Sequence, residues 1–248
     1  MWCVPKYSNP TGETYSSETV ARLARMRAAG DFRLFWDNAY AVHDLTGTSD
    51  RLDNVLDACA AAGSPDRALV FGSTSKITFA QAGLGMLATS AANMRWFVSR
   101  QSTRTIGPDK LNQLRHVLVL RDDAGIISAY GRSSAVCSSR NSRRCRKYSR
   151  PGSAAPESRP GPSPRGGYFV SLDVLDACAQ RVVALAKAAG IEMVPAGRTL
   201  PYGRDPRDRN IRIAPSVPAG GRGPCGGRCA RHLRSRRHLR TPARRSRR

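Results

Sequence analysis

Leu69-Val70-Phe71-Gly72-Ser73-Thr74-Ser75-Lys76 is the stretch on which the reading turns. Leu69, Val70 and Phe71 form a short apolar run of the kind that makes a buried strand. The run stops at a glycine, and a hydroxyl-rich turn then presents a lysine. Upstream, Phe32-Arg33-Leu34-Phe35-Trp36 reads as a second buried strand, closed by Asp37 and followed by Asn38, Ala39 and Tyr40. Between the two, residues 58–63 read as the end of a helix. Residues 83–88 give a third strand, and helical patterns follow over residues 91–99 and 109–120. This rhythm of strand, helix and strand predicts an α/β domain with a mostly parallel sheet. Ligands of such sheets bind beyond the carboxyl ends of the strands. Asp37 and the 73–76 turn both lie there.

Nearer the start, Asn9-Pro10-Thr11-Gly12 is a turn, and Ser16 and Ser17 offer N-caps to a helix. Val20, Leu23 and Ala24 share one face of that helix, with Gly30 as its C-terminal stop. Residues 168–172 predict a strand, and residues 178–189 a helix with Val182, Leu185 and Ala186 inward. Residues 191–194 and 211–213 read as further strands. The expected organisation is an α/β unit over residues 1–126 and a smaller α+β piece over residues 166–216.

The chain has 248 residues, seven cysteines and a formal net charge of +23. Nineteen of those net charges fall in residues 127–165 and 217–248; the rest of the chain is nearly neutral. Those two stretches are Ser, Arg, Pro and Gly with few aliphatic side chains and no helical or strand period, a composition that does not offset its own ordering entropy. Their boundaries are abrupt. This predicts either disordered basic segments or translation of a GC-rich coding region in a shifted frame. The tail after residue 217 is expected to bind nucleic acid only non-specifically, through phosphates, because it lacks interleaved aromatics or a base-reading motif. Cys225 and Cys229 with His232 and His238 have zinc-ligand chemistry but no apolar residues between them to build a finger core, so no metal is assigned. Cys3, Cys59 and Cys178 read as small buried residues. With no apolar run long enough to span a bilayer, no signal-peptide pattern and no disulfide framework, a cytoplasmic protein is expected.

Read for chemistry, Lys76 is a candidate imine-forming amine, partly desolvated behind its strand and so more nucleophilic. Asp37 is placed to keep a heterocyclic nitrogen protonated. Ser73 and the backbone of the 72–74 turn are candidates for holding a phosphate.

Taken together and in this order, these pieces resemble the pyridoxal phosphate (PLP) aminotransferases of fold type I, class I/II. The resemblance is closest to the aspartate-aminotransferase-like branch sometimes grouped with the MocR type. The family's Asn-Pro-Thr-Gly is matched at Asn9, its Asp-x-x-Tyr at Asp37 and Tyr40, and its Ser-x-Ser-Lys at Ser73, Ser75 and Lys76. The family's Gly-Gly-aromatic strand is matched by Gly166-Gly167-Tyr168-Phe169, and its later strand arginine by Arg212 within Asn210-Ile211-Arg212-Ile213-Ala214. The resemblance implies PLP as cofactor, with Lys76 bonded to it. It places Asn9 and Tyr40 on the ring hydroxyl oxygen, Asp37 on the ring nitrogen, and Arg212 on the substrate α-carboxylate. It also implies an amino acid such as aspartate and a 2-oxo acid as substrates, and a homodimer. Many relatives carry an arginine about eight residues beyond the lysine, to pair with the cofactor phosphate; Leu84 stands there here. The match starts in the middle of the family's large domain, which implies a truncated chain of little or no turnover.

Overall fold

The computed structural model describes residues 1–45, 48–78, 81–122, 124–126 and 165–214. Its main sheet has four strands in the order β1 (Trp2–Cys3), β2 (Leu34–Asp37), β3 (Ala68–Ser73) and β4 (Gly85–Thr89). β1, β2 and β3 run parallel, in a register that sets Leu34 beside Ala68 and Asp37 beside Phe71; β4 returns antiparallel to β3, with Ser73 opposite Gly85. The parallel-dominated α/β sheet expected from the sequence is present. Both Asp37 and the turn after Ser73 leave its carboxyl edge.

Helices α1 (Ser17–Arg25) and α2 (Val55–Ala61) cover one face of the sheet. The core beneath them joins Cys3, Val20, Ala24, Leu34, Trp36, Val55, Cys59 and Ala68. Strand alternation explains why only part of β2 is buried. Leu34 and Trp36 enter this core, whereas Phe35 lies on the other face, clustered with Trp2 and Phe71 with ring centroids 5.6 Å from each. β2 is therefore a half-buried strand rather than a fully buried one. Cys3 and Cys59 are buried as expected, but Cys178 is only half-buried.

Ser16 caps α1 by accepting the Thr19 N–H at 3.2 Å. The helix ends at Arg25, short of Gly30, because Arg67 Nη1 donates to the carbonyls of Leu23 (3.2 Å) and Ala24 (2.6 Å) and satisfies its last turn. Helix α3 (Ala91–Arg104) runs past Ser99, and α4 (Lys110–Leu120) is capped by Asp109.

A second sheet pairs β5 (Val170–Asp173) with β6 (Asn210–Ile213), antiparallel. Beside it lies α5 (Ala179–Ala188). Asp208 caps α5 from a distant loop: its carbonyl accepts the Cys178 and Ala179 N–H groups, and its Oδ1 accepts the Gln180 N–H at 3.1 Å. Two expectations fail here. Leu185 is exposed, since among the described residues α5 packs chiefly against β6. Residues 191–194 form no strand. Gly190 at φ +79 and the Ile191 N–H to Ala186 carbonyl bond (2.9 Å) make a Schellman end that turns the chain away from the β5–β6 ladder. No helix among the described residues is long and apolar enough to cross a membrane. Residues 127–164 and 215–248, with Cys225, Cys229, His232 and His238, lie outside the described residues.

The Gly166-Gly167 pair joins the two sheets. Asp44 bridges Gly166, the Leu45 N–H donates to the Arg165 carbonyl at 2.9 Å, and the Gly167 N–H donates to the His43 carbonyl at 2.8 Å. Gly166 packs on the Tyr7 ring so closely that a Cβ there would lie 2.2 Å from Tyr7 Cε2, and Gly167 has φ +81. Both glycines are therefore demanded by geometry. Gly166→Ala is expected to destabilise the chain by about 1–3 kcal/mol through overpacking, read as a lower urea midpoint at unchanged slope.

Candidate active site

The sequence-predicted residues converge at the carboxyl edge of β2 and β3. Asp37 ends β2, and the 38–41 turn carries Tyr40 into a buried position, 5% exposed. Lys76 follows β3 in a short turn in which the Ile77 and Thr78 N–H groups both donate to the Thr74 carbonyl at 2.9 Å. Its Nζ lies 5.0 Å from the Tyr40 ring centroid, and its carbonyl accepts the Tyr168 hydroxyl at 2.8 Å. Burial raises the Tyr40 phenol, Asp37's negative charge and Tyr168 add to this, and the Arg212 guanidinium opposes it. Tyr168 packs beside Tyr40, with ring centroids 6.3 Å apart.

Arg212 reaches this place from β6. Its guanidinium lies 4.4 Å from the Phe169 ring centroid, and its Nη1 donates to Asn9 Oδ1 at 3.1 Å, joining residues 203 positions apart. Its Nε is buried with no hydrogen-bond partner among the described residues. A buried guanidinium N–H facing no acceptor suits an incoming carboxylate.

Ser73 and Ser75 hold each other. Ser73 Oγ donates to Ser75 Oγ at 2.9 Å and accepts the Ser75 N–H at 3.1 Å, so the Ser75 hydroxyl hydrogen remains available. Thr74 turns the other way and is buried. Its N–H donates to the Leu84 carbonyl at 3.0 Å, and its Oγ1 accepts the Leu84 N–H at 2.8 Å. The Thr74 N–H is therefore committed within the chain. This pairing also gives Leu84 a purpose: its backbone locks the lysine turn from behind. Lys76 itself is exposed rather than partly desolvated. Its side chain leaves the open edge of the sheet, where Tyr40 lies under its amine and the described residues close no lid above it.

Several contributors were missed in the sequence. His43 is fully buried, 5.5 Å from the Tyr40 ring centroid and 5.2 Å from that of Tyr168, meeting both edge-on. Its position three residues beyond Tyr40 was the available signal. Lys6 and Tyr7 form a polar bed under Ala41, Asp44, Ser49 and Asp50. Lys6 Nζ donates to the Ala41 carbonyl and Ser49 Oγ, both at 2.8 Å, and lies 3.5 Å from Asp44. Tyr7 donates to Asp44 and accepts the Asp50 N–H at 3.0 Å. Burial and then Asp44 push the Tyr7 phenol well above its ordinary value.

Burial, and then the positive charge of Lys76, lower His43 to about 4. The folded ring stays neutral where the unfolded one, near 6.5, takes up a proton. Stability is therefore unaffected by His43 above about pH 6.5 and falls as pH drops from there towards about 4, by at most ~1.4 kcal/mol per unit. His43→Gln is expected to flatten this slope, read from urea midpoints at about pH 7 and pH 5.

Residues 1–221 match the family model described as aspartate amino-transferase. A Mycolicibacterium smegmatis protein named as an aminotransferase is 49% identical over 231 residues, covering 88% of this chain and 51% of that protein. The crystal structure of an aspartate transaminase from Corynebacterium glutamicum superposes with a TM-score of 0.83 at 41% identity, over 88% of this chain and 52% of that one. The α-aminoadipate aminotransferase of Thermus thermophilus, solved with N-(5'-phosphopyridoxyl)-L-leucine, shares the fold at a TM-score of 0.68 and 19% identity, over 87% of this chain and 53% of that one. The chain spans about half the length of the relatives it matches. It belongs to the aspartate aminotransferase family.

Proposed function

We propose that this chain carries the lysine-bearing part of a PLP-dependent aminotransferase site, acting on aspartate or a related acidic amino acid with a 2-oxo acid as amino acceptor. The observation that carries this reading is Lys76 over the buried Tyr40 ring, at the strand edge that also carries Asp37, with Arg212 hydrogen-bonded to Asn9. An amine, a carboxylate, a phenol, an amide and a guanidinium are the donor set that this cofactor and an amino acid need, so the residues fit the group. When bound, PLP supplies an electron-accepting ring that stabilises negative charge at the substrate α-carbon.

The roles follow from the side chains. Lys76 would hold the cofactor through its amine, and the same amine would be the group that moves the substrate α-proton. Asp37 keeps a proton on the pyridine nitrogen. Because Arg212 occupies Asn9 Oδ1, the Asn9 amide presents its Nδ2 hydrogens, which with the Tyr40 hydroxyl donate to the ring oxygen. The free hydroxyl hydrogen of Ser75, held in place by Ser73, serves the phosphate in a site where Leu84 stands in place of an arginine. Arg212 forks onto the α-carboxylate, with Phe169 fixing the plane of its guanidinium.

The exposure of Lys76 argues for slow turnover in this chain, since water reaches the amine. Residues 1–126 are assigned to the second half of the large domain and residues 166–216 to part of the small one, in a homodimer of the MocR-type branch. Residues 127–165 and 217–248 are assigned to shifted-frame translation; an amphipathic pattern should emerge when the coding DNA over residues 128–164 is read in another frame.

The functional test is spectral. The purified chain should keep a visible absorbance after incubation with PLP and desalting, and aspartate should change it. An amine of similar size without the α-carboxylate should not. Loss of the colour on desalting, or indifference to aspartate, contradicts the proposal.

A further inference from the structure

We propose that His116 is a positioning residue for Lys76, pinning from behind the turn that carries it; this rests on the reading of the site given above. His116 sits on α4, 2% exposed, and no sequence motif singles it out. Its Nδ1 lies 2.8 Å from the Asn112 carbonyl, one helical turn earlier. A carbonyl only accepts, so Nδ1 carries the hydrogen and Nε2 of the neutral ring is an acceptor. Nε2 lies 3.0 Å from Thr74 Oγ1 and 2.8 Å from Thr78 Oγ1. Thr74 Oγ1 already accepts the Leu84 N–H, so its hydroxyl hydrogen goes to Nε2. The Thr78 hydroxyl lies 2.8 Å from the same nitrogen, but the single Nε2 lone pair already takes the Thr74 hydrogen, so Thr78 donates to the Thr74 carbonyl at 3.1 Å.

Thr74 and Thr78 are two residues either side of Lys76. The imidazole thus ties the Thr74 end of the single turn bearing the amine, and the Thr78 hydroxyl, packed against Nε2, ties the other end back to the Thr74 carbonyl. The same helix face holds the approach to β4 too: Asn112, four residues before His116, donates from Nδ2 to the Ala82 carbonyl at 2.8 Å. Gly83 backs this arrangement, because a Cβ there would lie 2.7 Å from Ser75 Cα. α4 therefore grips the lysine turn and the segment that leads into β4, while the Lys76 Nζ lies over Tyr40. His116 acts on the amine's position without touching substrate.

The test uses the full chain carrying His116→Leu and His116→Gln. Leucine keeps bulk and removes the polar nitrogen; the glutamine amide reaches the Nε2 position and can both accept from Thr74 and donate to Thr78. Amide hydrogen exchange without PLP should speed up by about tenfold or more at residues 75–78 in the leucine variant, and by less than about threefold in the glutamine variant. Amides of α1 and α2 should be unchanged in both. The PLP dissociation constant should rise by about tenfold for leucine and not for glutamine. Thr78→Val removes the hydroxyl that packs against Nε2 and closes the turn onto the Thr74 carbonyl, and should reproduce the exchange increase, so the proposal stays testable if His116→Leu does not fold. Wild-type exchange at residues 75–78 in His116→Leu or in Thr78→Val overturns the pin, as does loosening of α1 and α2 to the same extent. If the unmodified chain never retains PLP, the aminotransferase reading falls, and the exchange measurement still decides the role of His116.

Discussion

Lys76→Ala is expected to abolish retention of PLP and to lower any amino transfer by about 10²–10⁴-fold from loss of proton transfer alone. Loss of the covalent bond to the cofactor comes on top of that. The change is clean because Lys76 is exposed and its structural ties run through its backbone: its carbonyl accepts the Tyr168 hydroxyl, and the 74–78 turn is held by Thr74, Thr78 and Leu84. Among the described residues its side chain makes only the contact over the Tyr40 ring, a cation–π interaction at an exposed site that contributes about 0.5–1 kcal/mol. The variant should therefore unfold within about 1 kcal/mol of the parent chain. Urea denaturation and absorbance after desalting, done on the same preparation, check both halves. A variant that binds PLP as well as the parent does would remove Lys76 from the site.

Arg212→Leu should have the second-largest effect, and it should be specific to the substrate. Each hydrogen bond to a charged group contributes about 1.5–3 kcal/mol, and the fork makes two, so a loss of about 100-fold or more in kcat/KM is expected. The Arg212–Asn9 contact breaks as well, which frees the Asn9 amide to turn. PLP retention should fall far less than substrate affinity. Arg212→Lys should recover only part of the loss, because an ammonium keeps the charge but not the planar fork. The decisive comparison is between aspartate and an amine lacking the α-carboxylate. The parent chain should discriminate between them and Arg212→Leu should not. Equal losses for both compounds would mean that Arg212 is structural, serving the Phe169 and Asn9 contacts.

The sequence carried the position of the site well, because its parts obey local rules. An apolar run followed by Gly72 and hydroxyls ends a parallel strand, and Asp37 ends its neighbour; the β2–β3 register then brings them together. Asn9 and Arg212 were legible only through the order of motifs, since nothing local relates residues 203 apart. What the sequence hid was set by distant contacts. The buried state of Thr74 and the backbone use of Leu84 depend on His116, forty-two residues further along the chain. The stop of α1 at Arg25 comes from Arg67, and the cap of α5 comes from Asp208. Residues 191–194 have strand composition, but the Schellman end at Gly190 precedes them. The exposure of Lys76 was missed for a related reason. Apolar neighbours in sequence, such as Phe71 and Ile77, do not by themselves build a wall around an amine. Gly166 and Gly167 were quoted as a motif, but their physical cause, the Tyr7 ring, lies far away in the chain.

The most direct measurement is reductive trapping. The chain is incubated with PLP at low concentration, reduced with borohydride, digested and mapped by mass spectrometry. The account predicts a pyridoxyl tag concentrated on Lys76, with Lys6, Lys110, Lys147 and Lys187 close to background, and with the Lys76 tag suppressed by prior addition of excess aspartate. Labelling spread over the five lysines in proportion to their exposure, and insensitive to aspartate, would contradict it.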